Sequence, residues 1–158
     1  MEGTSVATGR ATTGRSDVHA DAQRAEWTRL DWWAVALVGA LALATVTLFT
    51  QAYPRFSPID EFQHVDYAIK AGRFEVVREG DQAGETALRA FACLGVDSDF
   101  PPIDCNAPDL EPYFFPDHGY NTAAQQTPLY YTVTGVLGRV FTALTPADVL
   151  TGLRLTGA

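Results

Sequence analysis

Side chains that could do acid-base or metal chemistry are concentrated in one short segment of the sequence, at Asp60, Glu61, His64 and Tyr67. If this segment is helical, Asp60, His64 and Tyr67 fall on one face at i, i+4 and i+7. The helix dipole favours a charged carboxylate at a helix start, so Asp60 could act as a general base or bind a divalent cation. Helix capping alone also predicts an acid at this position, so both roles of Asp60 stay open.

His64 lies one helical turn from Asp60 and could join it as a metal ligand or a proton-transfer partner. A single histidine is more often a hydrogen-bonding surface residue, so the role of His64 is open as well. Glu61 and Tyr67 are candidates for supporting roles. The sequence therefore predicts a site centred on Asp60, with catalysis, metal binding and capping as its alternative functions.

The element that must position these residues is a short amphipathic helix, which the pattern predicts over residues 58–71. Ser57 is the expected N-cap, Pro58 the first helical residue and Gly72 the stop signal. Apolar residues recur at helical spacing on the opposite face, at Ile59, Phe62, Val65 and Ile69.

A long apolar segment precedes this helix. Residues 32–49 contain no charged residue, Pro, Asn or Gln, and at 1.5 Å per residue they form roughly 27 Å of helix, close to the thickness of the bilayer hydrocarbon. A core helix of a soluble domain usually keeps a polar stripe, which this segment lacks. We expect a transmembrane helix over residues 32–53, with a cleaved signal peptide as the alternative.

The net charge of −8 is unevenly distributed. Residues 51–127 hold five basic and thirteen acidic residues, and Arg24 and Arg29 lie just before the apolar segment. The positive-inside bias then predicts a plasma-membrane protein with a cytoplasmic N-terminus and an acidic extracytoplasmic loop over 54–127. Residues 1–25 have the composition of a disordered cytoplasmic tail. Nucleic acid is not an expected partner, because no basic patch could neutralise phosphates.

The two cysteines, Cys93 and Cys105, both fall in the predicted outer loop. Outside the cytoplasm a disulfide between them is favoured, and closing so short a loop would contribute about 3 kcal/mol. A metal site built on the two thiols is the weaker alternative, since no CxxC spacing or neighbouring histidine supports it. Prolines interrupt residues 101–116, so we expect an irregular α/β loop, with one edge strand over 74–80.

A second helix start appears at Thr127 and Pro128, and it introduces a predicted transmembrane helix over 128–144. Its one charge, Arg139, could extend to the cytoplasmic interface. Residues 148–158 begin a third helix. The predicted fold class is therefore an all-α integral membrane protein with two transmembrane helices, the start of a third, and a disulfide-linked outer loop.

This layout resembles the amino-terminal region of GT-C glycosyltransferases over roughly residues 32–158. The matching segments are Asp60-Glu61 with His64 and Tyr67, Gly72-Arg73, Gln126 with Pro128-Leu129-Tyr130-Tyr131, and Leu153-Arg154-Leu155. The resemblance implies an enzyme that transfers a hexose or pentose from a polyprenyl-phosphate donor to an extracytoplasmic acceptor. It implies Asp60 as the catalytic carboxylate, Tyr130 and Tyr131 as substrate-binding residues, and a divalent cation as a candidate cofactor.

The sequence departs from the family pattern at Thr127-Pro128, where a double proline is usual, and the family's later helices do not follow. We therefore expect a fragment that is inactive alone, because those helices bind the polyprenyl chain and supply cations for the leaving phosphate. The alternative is a non-catalytic membrane protein whose acidic outer loop binds a partner or a cell-envelope polymer. Four aromatic residues would suit sugar stacking in both cases, namely Tyr113, Phe114, Phe115 and Tyr120.

Overall fold

The computed structural model describes residues 29–157, and this part of the chain is mainly helical. The α-helices are α1 (Arg29–Ala52), α2 (Glu61–Ala71), α3 (Glu85–Leu94), α4 (Pro128–Leu144) and α5 (Val149–Thr156). Short 3-10 helices at Pro112–Phe114, Pro116–Gly119 and Thr122–Gln125 lead from the loop into α4. The predicted tail over residues 1–25 lies outside the described residues. The chain divides into two units, up to Gly39 and from Ala40, and every tertiary contact below lies within the second.

Helix α1 has 24 residues and a mean hydropathy of 2.0 over its most apolar window. Among residues 29–157 it is the one helix that is long and apolar enough to cross a membrane. Two of its threonines are satisfied within the helix, since the hydroxyls of Thr45 and Thr47 donate to the carbonyls of Leu41 and Leu43 at 2.8 Å. Such bonds are expected where water is scarce. The predicted helix over 32–53 is therefore confirmed as a helix with the length and composition of a membrane span.

Helix α4 spans residues 128–144 as predicted, and α5 occupies the predicted third position after Asp148, whose carboxylate accepts from the Thr151 N–H at 2.9 Å. The 17 residues of α4 correspond to about 26 Å. The length and hydropathy of α4 do not confirm the prediction that it is a transmembrane helix. Arg139 donates to the carbonyl of Gly72 at 2.8 Å, so its guanidinium caps the end of α2 and does not extend beyond the end of α4.

Helix α2 differs from the prediction in its start and its surroundings. It begins at Glu61, three residues later than predicted, because the main chain at Asp60 is not helical (φ −145°, ψ 6°). The Ser57 N–H donates to the Glu61 carboxylate at 2.7 Å, so the predicted N-cap residue is held in the preceding turn. Eight of its eleven residues are buried, whereas Ile59, predicted on its apolar face, is 81% exposed. The predicted short amphipathic helix is thus a helix that is buried over most of its length.

The prediction that the irregular loop contains a strand is wrong. Within residues 29–157 there are isolated bridges, between Phe56 and Val96 and between Gln82 and Tyr120, but no strand. The predicted strand over 74–80 begins with Phe74 in a left-handed conformation (φ 62°) that closes the end of α2. This conformation breaks the extended backbone, and no neighbouring strand in the described chain offers a ladder to pair with.

The core beneath the loop combines a phenylalanine cluster with the disulfide. The Phe62 ring lies 5.1 Å from that of Phe91 and 5.8 Å from that of Phe115. The predicted Cys93–Cys105 disulfide is present and joins α3 to the loop that follows it. Burial of large aromatic rings is the main stabilising contribution available to a loop with little regular structure.

A buried carboxylate, Asp66, organises the rest of the loop around α2. It is 1% exposed and accepts hydrogen bonds from the Gly84 N–H at 2.8 Å, the Asn121 amide at 2.7 Å and Lys70 Nζ at 2.9 Å. These bonds connect α2 to the start of α3 and to the segment that leads into α4. Because each partner is itself held by the fold, loss of the carboxylate would leave several buried donors unsatisfied.

Candidate functional site

The carboxylate of Asp60 does not cap helix α2. The main-chain carbonyl of Asp60 accepts from the N–H groups of Gln63 at 3.1 Å and His64 at 3.3 Å, but its side chain makes no capping hydrogen bond. The carboxylate instead contacts His64, with 3.1 Å between Asp60 Oδ2 and His64 Nε2, and the Asp60 side chain is 60% exposed. Helix capping therefore does not explain why an acid stands at this position.

His64 connects Asp60 to Tyr131 on helix α4. Its Nδ1 lies 2.5 Å from the Tyr131 hydroxyl oxygen, on the opposite side of the ring from Asp60. An ionised carboxylate can only accept, so Nε2 carries the proton that is donated to Asp60. In the neutral imidazole Nδ1 is then an acceptor, and the Tyr131 hydroxyl donates to it. The result is a chain of two hydrogen bonds that fixes the orientation and the tautomer of His64.

Stacked tyrosines hold the α4 end of this chain. The rings of Tyr67 and Tyr131 are nearly parallel (11°) with centroids 4.2 Å apart, and the Tyr67 hydroxyl donates to the carbonyl of Gln126 at 3.2 Å. Tyr131 is 5% exposed, while the neighbouring Tyr130 is 51% exposed. Of the two tyrosines predicted to bind substrate, Tyr130 presents its ring to solvent, and Tyr131 supports His64 from inside.

Glu61, although adjacent to Asp60, belongs to a different arrangement. Its two carboxylate oxygens accept from Arg154 Nε and Nη2, both at 2.6 Å, in a bidentate pair. Arg154 also donates to the carbonyls of Tyr53 and Arg55, and its side chain is 6% exposed. This arginine thereby joins α5 to the start of α2 and to the end of α1, so the contacts of Glu61 are structural.

The predicted metal ligands Asp60 and His64 are close enough to share a hydrogen bond. Within residues 29–157, no group of three or more His, Cys, Asp and Glu side chains is arranged to hold a metal ion. Magnesium bound to a phosphorylated substrate needs only one or two protein carboxylates, since substrate oxygens and water complete its shell. A divalent cation at Asp60 and His64 stays a prediction that depends on the substrate.

A cavity of about 370 Å³ lies in the proline-rich part of the loop. Half of its lining residues are phenylalanines and prolines, and two acidic residues, Asp109 and Glu111, line it as well. Of two residues expected to suit sugar stacking, Phe115 is 3% exposed and Phe114 is 65% exposed. The cavity therefore has a buried aromatic floor and an exposed aromatic edge.

Comparison of the chain with protein-family models, with curated proteins and with solved structures gives no match.

Asp60 and the three residues that the structure brings together with it were all candidates from the sequence, but the sequence did not indicate how they connect. Tyr131 was expected to contact substrate, and its bond to His64 joins residues 67 positions apart. The partnership of Glu61 with Arg154 was missed as well, across 93 positions. An arginine inside an otherwise apolar helix was the available signal, because such a charge needs a buried partner.

Proposed function

We propose that this chain forms the amino-terminal part of a GT-C-like glycosyltransferase, which moves a sugar from a polyprenyl-phosphate donor to an acceptor outside the cytoplasm. The observation that carries the proposal is the state of the Asp60 carboxylate: it is free of helix capping, held by His64 on one side and open to solvent. Such a carboxylate is available to accept a proton from a substrate hydroxyl that comes within hydrogen-bond reach. The resemblance of the flanking segments to the GT-C layout supplies the substrate class.

In the proposed reaction, Asp60 accepts the proton of the acceptor hydroxyl while that oxygen bonds to the anomeric carbon of the donor sugar. The bond from this carbon to the phosphate oxygen breaks, and polyprenyl phosphate leaves with the electron pair. His64 and Tyr131 are positioning residues, because their hydrogen bonds hold the carboxylate in one orientation. Stabilisation of the leaving phosphate requires cationic groups or a metal ion, which we assign to the complete transferase.

The proposal includes membrane insertion by α1 and α4, with the N-terminus in the cytoplasm. The hydropathy and length of α1 support it. For α4 the support is an exposed apolar stripe within an arc of about 80°, calculated from helical geometry. This stripe comprises Leu129, Val133, Leu137, Val140 and Leu144, which are 49–80% exposed. An unbroken apolar stripe of this size needs lipid or further helices to cover it.

The decisive experiment replaces Asp60 with Asn in the full-length protein, assayed in membrane vesicles. A panel of radiolabelled polyprenyl-phosphate hexoses and pentoses serves as donor, with isolated cell-envelope glycans as acceptors. Loss of a general base should lower turnover by about 10²- to 10⁴-fold at unchanged expression. Asp99→Asn is the matched control, since Asp99 is an exposed loop carboxylate outside the hydrogen-bond chain of Asp60, His64 and Tyr131. Near-parental transfer by a well-expressed Asp60→Asn protein would refute the assignment of the base.

A second candidate function is favoured by the cavity in the loop. A non-catalytic membrane protein that binds a cell-envelope polymer or a protein partner would use the cavity and would not use Asp60. In that case Phe114→Ala would reduce retention on isolated envelope polymer, while Asp60→Asn would bind as well as the parent. The two substitutions therefore separate the two functions.

A further inference from the structure

The wall of the loop cavity has little regular secondary structure, but a disulfide and hydrogen bonds hold it in place. Cys105 lies between two lining residues, Ile103 and Ala107, and its disulfide ties this wall to α3. Arg89 on α3 donates to the carbonyls of Cys105 at 3.1 Å and Ala107 at 3.4 Å. The prolines among the lining and neighbouring residues restrict the backbone further. A preformed cavity of this kind loses little conformational entropy when a ligand binds.

The floor of the cavity is equally fixed. Phe115 stacks on Phe62 of the buried helix α2, with ring centroids 5.8 Å apart and planes 18° from parallel. Phe100 packs edge-to-face on Phe91 at 5.7 Å. Both lining rings are thus held by the core.

An exposed aromatic shelf continues from the edge of the cavity. It consists of Phe114, Tyr113 and His118: the Tyr113 ring packs edge-to-face on Phe114 at 5.8 Å and stacks on the His118 imidazole at 4.7 Å. Phe114 and Tyr113 are 65% and 66% exposed. Large aromatic rings in this position contribute little to the core and are suited to contact a ligand.

A left-handed turn at Asp117 and His118 holds one end of the shelf in place. Asp117 and His118 are successive non-glycine residues with left-handed φ angles of 52° and 55°. Such residues cost about 1–3 kcal/mol each and persist where the surroundings hold them. Here the buried Gln63 amide donates to the Asp117 carboxylate at 2.5 Å, and the His118 ring stacks on Tyr113. The strained turn therefore fixes the orientation of the shelf.

The chemistry of the lining narrows the class of ligand. The charged residues among those lining the cavity are Asp109 and Glu111, and carboxylates accept hydrogen bonds and repel anions. Phosphate groups are thus disfavoured there. A sugar ring has hydroxyl donors around its edge and an apolar C–H face, which match acidic acceptors and aromatic or proline rings. The volume of about 370 Å³ lies within the usual range of small-ligand sites.

We propose that the cavity and the aromatic shelf bind a saccharide without anionic groups. The saccharide is the acceptor for the transfer described above, and this acceptor role, unlike the binding itself, rests on the proposed function. The sugar ring stacks on Phe114, and its hydroxyl groups donate to Asp109 and Glu111. The phosphate-linked donor does not enter this cavity.

The test measures binding by the full protein in lipid nanodiscs, which avoid detergents with sugar head groups. Saturation-transfer NMR is recorded with neutral gluco-, manno-, galacto- and arabino-disaccharides, and with a phosphorylated form of any that binds. We expect at least one neutral disaccharide to bind, Phe114→Ala to reduce its signal at least fivefold, and the phosphorylated form to bind at least fivefold more weakly. Phe74→Ala is the matched control, since Phe74 is 78% exposed and does not line this cavity.

Three outcomes would overturn the proposal: no neutral disaccharide binds, the phosphorylated form binds equally well, or Phe114→Ala and Phe74→Ala have the same effect. The result is independent of catalysis. Saccharide binding without any transfer activity would leave the binding proposal standing and reject the transferase. Transfer activity that Phe114→Ala leaves unchanged, without detectable binding, would reject the cavity and keep the transferase.

Discussion

The buried pair of Glu61 and Arg154 leads to the most quantitative prediction, which concerns the substitution Glu61→Gln. The Glu61 side chain is 17% exposed and that of Arg154 is 6% exposed, so the change leaves a buried guanidinium without a counter-charge. Removal of one partner of a buried ion pair costs about 3–5 kcal/mol. Arg154 keeps its bonds to two main-chain carbonyls, so we expect the lower end, about 3 kcal/mol. For a protein of this size that corresponds to a decrease in melting temperature of about 6–12 °C.

The matched control is Glu85→Gln, which removes the same charge from an exposed pair. Glu85 is 78% exposed and contacts Arg89, one turn away on α3, at 3.2 Å. Exposed pairs of this type contribute at most about 1 kcal/mol. Thermal unfolding should be followed by near-ultraviolet circular dichroism, which reports the packed tyrosines and is insensitive to the helix content of α1. Equal melting temperatures for the two variants would refute the buried pair.

A double-mutant cycle gives a second readout of the same interaction. Arg154→Met removes the guanidinium that Glu61→Gln leaves without a partner. The loss of unfolding free energy caused by Arg154→Met should therefore be smaller in the Glu61→Gln protein than in the parent. We expect a coupling energy of at least about 1 kcal/mol, since the two side chains form a bidentate contact. Strict additivity would show that the two residues stabilise the fold independently and would contradict the pair.

The disulfide and the packing of α4 lead to two further expected outcomes. Cys93 and Cys105 should resist alkylation in the native protein until a reductant is added, because they are bonded to each other; labelling without reductant would contradict this. Gly135→Ala should destabilise the protein by about 1–3 kcal/mol, because its new Cβ would lie 2.0 Å from the Ala68 carbonyl oxygen. Gly39→Ala is the control. A Cβ added at Gly39 would meet no heavy atom within 4 Å outside its own helix backbone and chain neighbours, so this change should not lower the melting temperature.

Features encoded by local patterns were accessible from the sequence. The apolar run predicted α1, the Thr127-Pro128 start predicted α4 with its observed bounds, and α5 lies within residues 148–158, where a third helix was expected. These elements depend on neighbouring residues, since a cap, a proline or a 3.6-residue period acts within a few turns. The disulfide was predictable because the two cysteines have no other partner of their kind in the chain.

Only the tertiary structure decided which groups meet. Asp60 reads as a helix cap in the sequence, yet its carboxylate turns to His64, and His64 is held by a tyrosine 67 positions away. Glu61 appeared as a second candidate for chemistry, but Arg154, far along the chain, occupies both of its oxygens. Periodicity and composition carry no information about such distant pairs. They form because burial removes water and leaves each charge or hydrogen-bonding group dependent on the partner that the fold brings to it.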